Sequence, residues 1–486
     1  MRLPRRHPAL VVLVLVLSAL AAGRAASQTP PRGHGAEAHD MELVGHDDLQ
    51  GRAAYQPTIH TQGGRVIAYV GHHGGRGRNP LTGVDEDNGT SIVDVTDPAR
   101  PRYLVHIPGP AGGPEQGGAQ MARVCDRRGK TWLLRTSGNS VPNSGHEVWD
   151  VTDPAKPQKT VTVVSGLTST HKDFWECDTG TAYLISGDLA KSDPLQVGPS
   201  GWRTGRMTKI YDLSDPARPV FVRDFGLAGQ EPGSTGPVTV PGGVHGPMVL
   251  GNRVYFAYGT STDGLLQIVD RDKLLNGPKA PTAANLNAPE VSRLWMSPNW
   301  GGHTAFPMLG MKIGDWQVNS KGQTRDFVLL VSEAIANECQ EFRQASFLVD
   351  ITTETRPFSV STFQVPESKG GFCRRGGRFG PHSSSESFAP IFYRKLVFIA
   401  YFNAGVRAVD VRDPYAPREV GFYIPATTER TGERCVTNGM RSCKVAIQTN
   451  NVEADERGLV YLADRANTGL HIVRLTGDAA RIVAAP

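Results

Sequence analysis

The chain has 486 residues, with 52 Lys and Arg against 47 Asp and Glu, a formal net charge of +5. Four of those excess positives are Arg2, Arg5, Arg6 and Arg24, in a stretch without acids, so the remainder is near +1 and its charge gives no support for nucleic-acid binding. With 55 Gly and 35 Pro the composition suits many turns, and no long periodic helical stretch is present.

Residues 1–26 read as a signal peptide: a basic start, an apolar run over 9–22 too short to span a bilayer, and small residues near 21–26 as cleavage sites. No Cys follows to take a lipid anchor. Residues 27–40 read as a loose polar leader, and 41–486 as a single domain. The expected location is the periplasm or the cell exterior, with no membrane span in the mature chain.

One motif organises that domain. Residues 90–101 read Thr-Ser-Ile-Val-Asp-Val-Thr-Asp-Pro-Ala-Arg-Pro. Close copies occupy 147–157, 209–219 and 407–417, with weaker ones at 267–273, 347–357 and 471–477. The central Asp recurs at 94, 150, 212, 270, 350 and 410, and Arg474 replaces it in the last copy. The spacing is about 60 residues, which marks a repeat architecture.

Each copy is a β-branched run, suited to a strand, ending in an Asp-Pro turn. A second proline then opens an edge strand. A second hairpin lies upstream, such as 245–249 and 254–258 around Gly-Asn-Arg. Four antiparallel strands per copy, in seven copies, predict an all-β, seven-bladed β-propeller. Segments 41–46 and 481–485 both read as outer strands, and either can close the ring beside 470–475.

The Val-Asp-Val-Thr-Asp-Pro-Ala-x-Pro units resemble the LVIVD-repeat family of bacterial extracytoplasmic propellers, over roughly residues 41–486. The resemblance implies the fold and carries no assigned chemistry.

Six cysteines in an exported chain suggest disulfides. Of fifteen possible connectivities we expect Cys125–Cys177, between hairpins of neighbouring blades, Cys339–Cys373, between adjacent insertions, and Cys435–Cys443, within one loop.

Loop lengths are lopsided. Turns within hairpins are mostly short, whereas 71–89, 187–207, 226–244, 332–345, 366–381 and 425–448 are long. In an up-and-down blade these long connections emerge on one face, which nominates it for function.

His171, His245, His303 and His382 each fall at the first position of an innermost strand, where a propeller's central channel opens on that face. Converging imidazoles suit copper, zinc, iron or nickel. Glu176, Glu333, Glu386, Glu453 and Asp464 are candidate oxygen ligands at the same mouth, with His72 and His73 over it. Hydrogen-bonded polar groups without a metal would give the same pattern. Histidine-lined channels also occur in the selenium-binding-protein-like methanethiol oxidases, which the chain resembles only in architecture and His placement.

No nucleophile elbow, phosphate loop or dinucleotide fingerprint occurs. The first expectation is therefore a binding module taking a protein, glycan or small molecule on its long-loop face. The alternative is a metalloenzyme performing metal-assisted oxidation or hydrolysis. A structural envelope component is a third.

Overall fold

The computed structural model describes residues 33–188, 197–237, 243–260, 263–296, 298–312 and 323–485. The expected signal peptide and residues 27–32 of the leader lie outside these.

The chain folds into a propeller-like succession of antiparallel sheets. The first holds Ala54–Gln62, Arg65–His72, Thr90–Asp94 and Arg102–Ile107. Four more follow in sequence order, each of four strands in up-and-down order, except that the innermost strand of the third is broken in two. Nine of the remaining strands form one sheet, and two loop hairpins stand apart, Arg76–Arg78 with Asp85–Asp87 and Glu433–Asn438 with Met440–Val445. The two arrays of that sheet, one of five strands and one of four, are joined by a single residue pair, Phe402 with Thr449. The core lies between consecutive sheets. Tyr255, Leu266 and Ile268 of one, for example, meet Ala305, Val328 and Phe347 of the next.

The recurrent Asp explains why the motif repeats. Asp94 Oδ1 accepts the Thr96 N–H at 3.0 Å and the Thr96 hydroxyl at 2.6 Å. Asp150 does the same with Thr152, and Asp212, Asp350 and Asp410 accept the N–H two residues on. The second Asp (97, 153, 215 or 413) accepts the next such N–H, at 3.0–3.2 Å. Two consecutive side chain–backbone turns thus carry the chain from one strand to the next. Asp94→Ala is expected to lower stability by about 1–2 kcal/mol in chemical unfolding, and Asp94→Asn by clearly less because its carbonyl keeps the bond.

Three expectations need correcting. Residues 481–485 are not a strand: Gly477–Ala484 is a helix that buries Ala479 and Ile482, three positions apart. Met41–Asp47 completes the sheet instead, pairing with Gly469–Leu475. The expected leader is partly strand as well, since Glu37–His39 pairs with Arg418–Ile424 and covers what would be an exposed edge. In the copy at 267–273, which lacks Asp-Pro, Asp270 caps the helix Arg271–Asn276 through the Lys273 N–H.

All six cysteines pair as expected: Cys125–Cys177, Cys339–Cys373 and Cys435–Cys443. No helix among the described residues is long and apolar enough to cross a membrane.

Candidate metal centre

The innermost strands are irregular where the histidines sit. The ladder slips between Val244 and Gly246 around His245, and between Phe379 and Ser383 around His382. It slips again between Ala54 and Pro57, beside Tyr55, and between Thr449 and Asn451, around Asn450. His171 falls in the break between Ser169–Thr170 and Phe174–Trp175, and His303 immediately precedes Thr304–Lys312. A bulge abandons strict alternation and re-aims a side chain.

The result is a buried row of four imidazoles. Ring centroids step 4.2 Å from His171 to His245, 3.5 Å to His303 and 4.2 Å to His382. His171 Nε2 lies 2.6 Å from His245 Nε2 and 3.3 Å from the Tyr55 hydroxyl. His303 Nε2 has no hydrogen-bond partner among the described residues. One ring nitrogen from each of His171, His245 and His303 lies within 4.8 Å of the others, and His303, His382 and a Glu333 oxygen form a second such group.

Outer contacts fix which nitrogens are bare. His171 Nδ1 donates to Gln120 Oε1 at 3.1 Å, and the Gln120 amide donates to His73 Nδ1 at 2.9 Å. His382 Nδ1 donates to the Asn450 carbonyl at 2.5 Å. Both arrangements leave Nε2 free of its proton, as metal-ligating histidines require. Burial drives all four imidazoles well below their usual pKa. Arg206 adds to this at His171 and His245, His245 at His303, and Arg465 at His382. The rings are therefore neutral, the form that binds metal.

The long loops supply the surroundings. His73 comes from 71–89 and packs edge-on against Tyr55, with centroids 5.0 Å apart. Arg206 ends 187–207, and its Nε donates to Ser169 Oγ. Glu333, in 332–345, lies 3.6 Å from His382 Nε2 and 3.1 Å from Arg378 Nη1 of 366–381. Burial raises the Glu333 pKa, against the opposing pull of Arg378 and Arg465.

The other expected acids are elsewhere. Glu176 is bound by Arg271 and Tyr183. It stands five residues beyond His171, roughly 16 Å along an extended chain. Glu386 pairs with Lys172 and Arg123. Glu453 accepts from Ser385 Oγ and from the Ser387 and Ala454 N–H groups. Asp464 accepts the N–H groups of Gln448, Ala466 and Thr468, so its lone pairs build a turn. His72 bonds Ser91 Oγ.

The donor set fits a transition ion. It is nitrogen-rich, lacks thiolate, is neutral, and at His171 and His382 is held in the tautomer with Nε2 bare. Two nitrogens on one tetrahedral ion at about 2.05 Å sit roughly 3.3 Å apart, so the His171–His245 pair must open slightly to bind. Gln120→Ala is expected to weaken metal binding about 10- to 100-fold in competition with a chelating dye, by freeing His171 and His73 together.

No family model and no curated protein matches the chain. Among solved structures, Kuenenia stuttgartiensis hydrazine synthase aligns with a TM-score of 0.49 at 11% identity, over 89% of this chain and 98% of that one. Chaetomium thermophilum Sqt1 aligns with a TM-score of 0.47 at 11% identity, over 90% and 99%. At that level of similarity neither bears on the chemistry of the site.

Proposed function

We propose that the protein is an exported, seven-bladed LVIVD-type propeller whose central histidines bind one copper, zinc, iron or nickel ion for metal-assisted oxidation or hydrolysis. Five separate sheets and two arrays joined by one residue pair support the blade count. Three disulfides support an oxidising compartment. The observation that carries the metal is the trio His171, His245 and His303, buried and within one ion's reach. Such an ion would supply Lewis acidity or redox capacity. With three imidazoles as ligands it keeps a position open, whereas a fourth tight ligand would suit a structural role.

Elemental analysis of the mature protein, purified without a His-tag or chelator, tests this. About one ion per chain is expected. No binding after incubation with each of the four ions would exclude it.

The second reading is a metal-free binding module on the long-loop face. A cavity of about 200 Å³ there, lined by Arg378, Arg434 and Arg465, favours it. Its walls include Cys435 and Asn337, from loops that carry the Cys435–Cys443 and Cys339–Cys373 bridges.

A further inference from the structure

That cavity holds an unusual concentration of guanidinium groups. Arg378, Arg434 and Arg465 all line it, together with Asn337, Gln448 and Glu115. The arginines come from three separate stretches of chain, and two are well covered: the side chains of Arg465 and Arg378 are 5% and 17% exposed. Buried like charges repel strongly unless anions lie between them. Glu333 answers one, accepting from Arg378 Nη1 at 3.1 Å. Arg434 spends Nη2 on a neutral partner, the Arg465 carbonyl, at 3.1 Å.

Glu433 also lines the cavity and Asp464 acts on Arg434, but the carboxylate seated on two of the guanidiniums is that of Glu115. Its carboxylate contacts the Arg465 guanidinium and lies 3.6 Å from Arg378 Nη2. Yet its side chain is 58% exposed. It projects from the glycine-rich turn Gly112-Gly113-Pro114-Glu115-Gln116-Gly117-Gly118, on a different sheet's connection. Desolvation raises its pKa, but Arg465, with His73 and Arg378, holds the carboxyl down at about 2, so it leaves when a competing anion takes the same guanidiniums rather than for water alone. Glu115 therefore shows what the cavity accepts, and it holds that place as a removable occupant.

We infer that this cavity is an anion subsite, which takes the carboxylate or phosphate-type oxyanion end of a small molecule when Glu115 swings out. Paired guanidiniums suit such planar or tetrahedral oxygens, and the Asn337 and Gln448 amides add polar atoms to the wall. The subsite adjoins the histidines: Arg378 holds Glu333, and Glu333 faces His382 Nε2 at 3.6 Å. An anion anchored on Arg378 and Arg465 thus has the rest of its body beside the proposed metal. As a statement about substrate this rests on the metal-centre reading; as a statement about binding it does not.

The test is calorimetric titration of the full mature chain, stripped of metal by EDTA and dialysis, with succinate and separately with inorganic phosphate. Glu115→Gln removes the competing carboxylate, so it is expected to bind the preferred anion about tenfold more tightly than the parent, as when a blocked state holds nine-tenths of the population. Arg434→Gln is expected to bind it at least about fivefold more weakly. Preference for succinate assigns a carboxylate, and preference for phosphate assigns a phosphate-type group; either supports the subsite. Failure of both anions to bind the parent and Glu115→Gln at millimolar concentration overturns it. So does binding that Glu115→Gln leaves unchanged or weakens. Because the protein is metal-free throughout, failure here leaves the metal-centre reading to be judged by elemental analysis alone.

Discussion

The double variant His245→Ala, His303→Ala is expected to carry no metal, while the parent chain carries about one ion. His245 and His303 are adjacent in the row, with ring centroids 3.5 Å apart, and both belong to the trio within 4.8 Å. Removing both leaves His171 as its only member. Loss should be complete, because neither His171 alone nor the His382–Glu333 pair left of the second group offers three ligands to one ion. The second readout is thermal. A ligand that binds only the folded chain stabilises it by about 3 kcal/mol at a hundredfold excess over its Kd. The parent should show that rise on adding the cognate ion, and the double variant should not. His60→Ala is the control: His60 faces Asp126, whose side chain is 58% exposed, and it lies outside both ligand groups. Equal metal content in the parent and the double variant, with the control unchanged, would remove these residues from the site.

Glu453→Gln is expected to gain stability relative to the parent as pH rises from about 5 to 8. Burial, with Glu386 nearby, raises Glu453 from 4.5 to about 7, against the opposing bonds from Ser385 and Ala454. Between those values the folded chain keeps a proton that the unfolded chain has released. Stability is then lost with rising pH, on the order of 3 kcal/mol by pH 7. Glu386 works in the opposite direction. Despite burial, Lys172 and Arg123 hold it near 2, so its contribution is present above 4.5 and is lost as pH falls below that. The buried imidazoles, held well below their usual 6.5, add stability as pH rises through that value, so it is the difference between variant and parent that isolates Glu453. Glu453→Gln should match the parent at pH 5 and exceed it at pH 8 in scanning calorimetry. Parallel curves for the two proteins would refute the assignment. Glu386→Gln, by contrast, should be destabilising at both, because it strands buried Lys172 and Arg123.

The sequence shows the sheets plainly because one turn builds most of them. An Asp that must catch the N–H two residues on cannot drift, so the motif survives in register at 94, 150, 212, 350 and 410. Where Pro is missing after Asp270, the same Asp caps a helix, and strand patterning gave no warning of it. Two disulfides were legible because they join neighbouring repeats, and the third, Cys435–Cys443, because its cysteines lie within one loop. The histidines were legible because each falls in or just before an innermost strand, although His382 is the fourth residue of Phe379–Ser384 and His171 lies in a break rather than at a first position. Their supporting residues were less so. Tyr55 and Lys172 sit in or beside irregular ladder, where alternation no longer tells which way a side chain points. Arg206 and Arg465 reach the centre from separate loops, and no local pattern links residues so far apart. Glu176 failed for a simpler reason, since a strand carries a residue about 3.3 Å farther away at every step.

The pairing of Met41–Asp47 with Gly469–Leu475 sets an order on how the molecule is made. Glu42 and Arg474, bridged across that pair, are 432 positions apart. A ribosome therefore releases one strand 432 residues before its partner. Contacts of such long separation form late and slowly. The same final sheet carries Asn450, whose carbonyl orients His382. His382 thus takes its place in the row only after Asn450 has been made, so an ion that needs all four imidazoles is taken up after the last sheet has formed rather than by an early nascent chain.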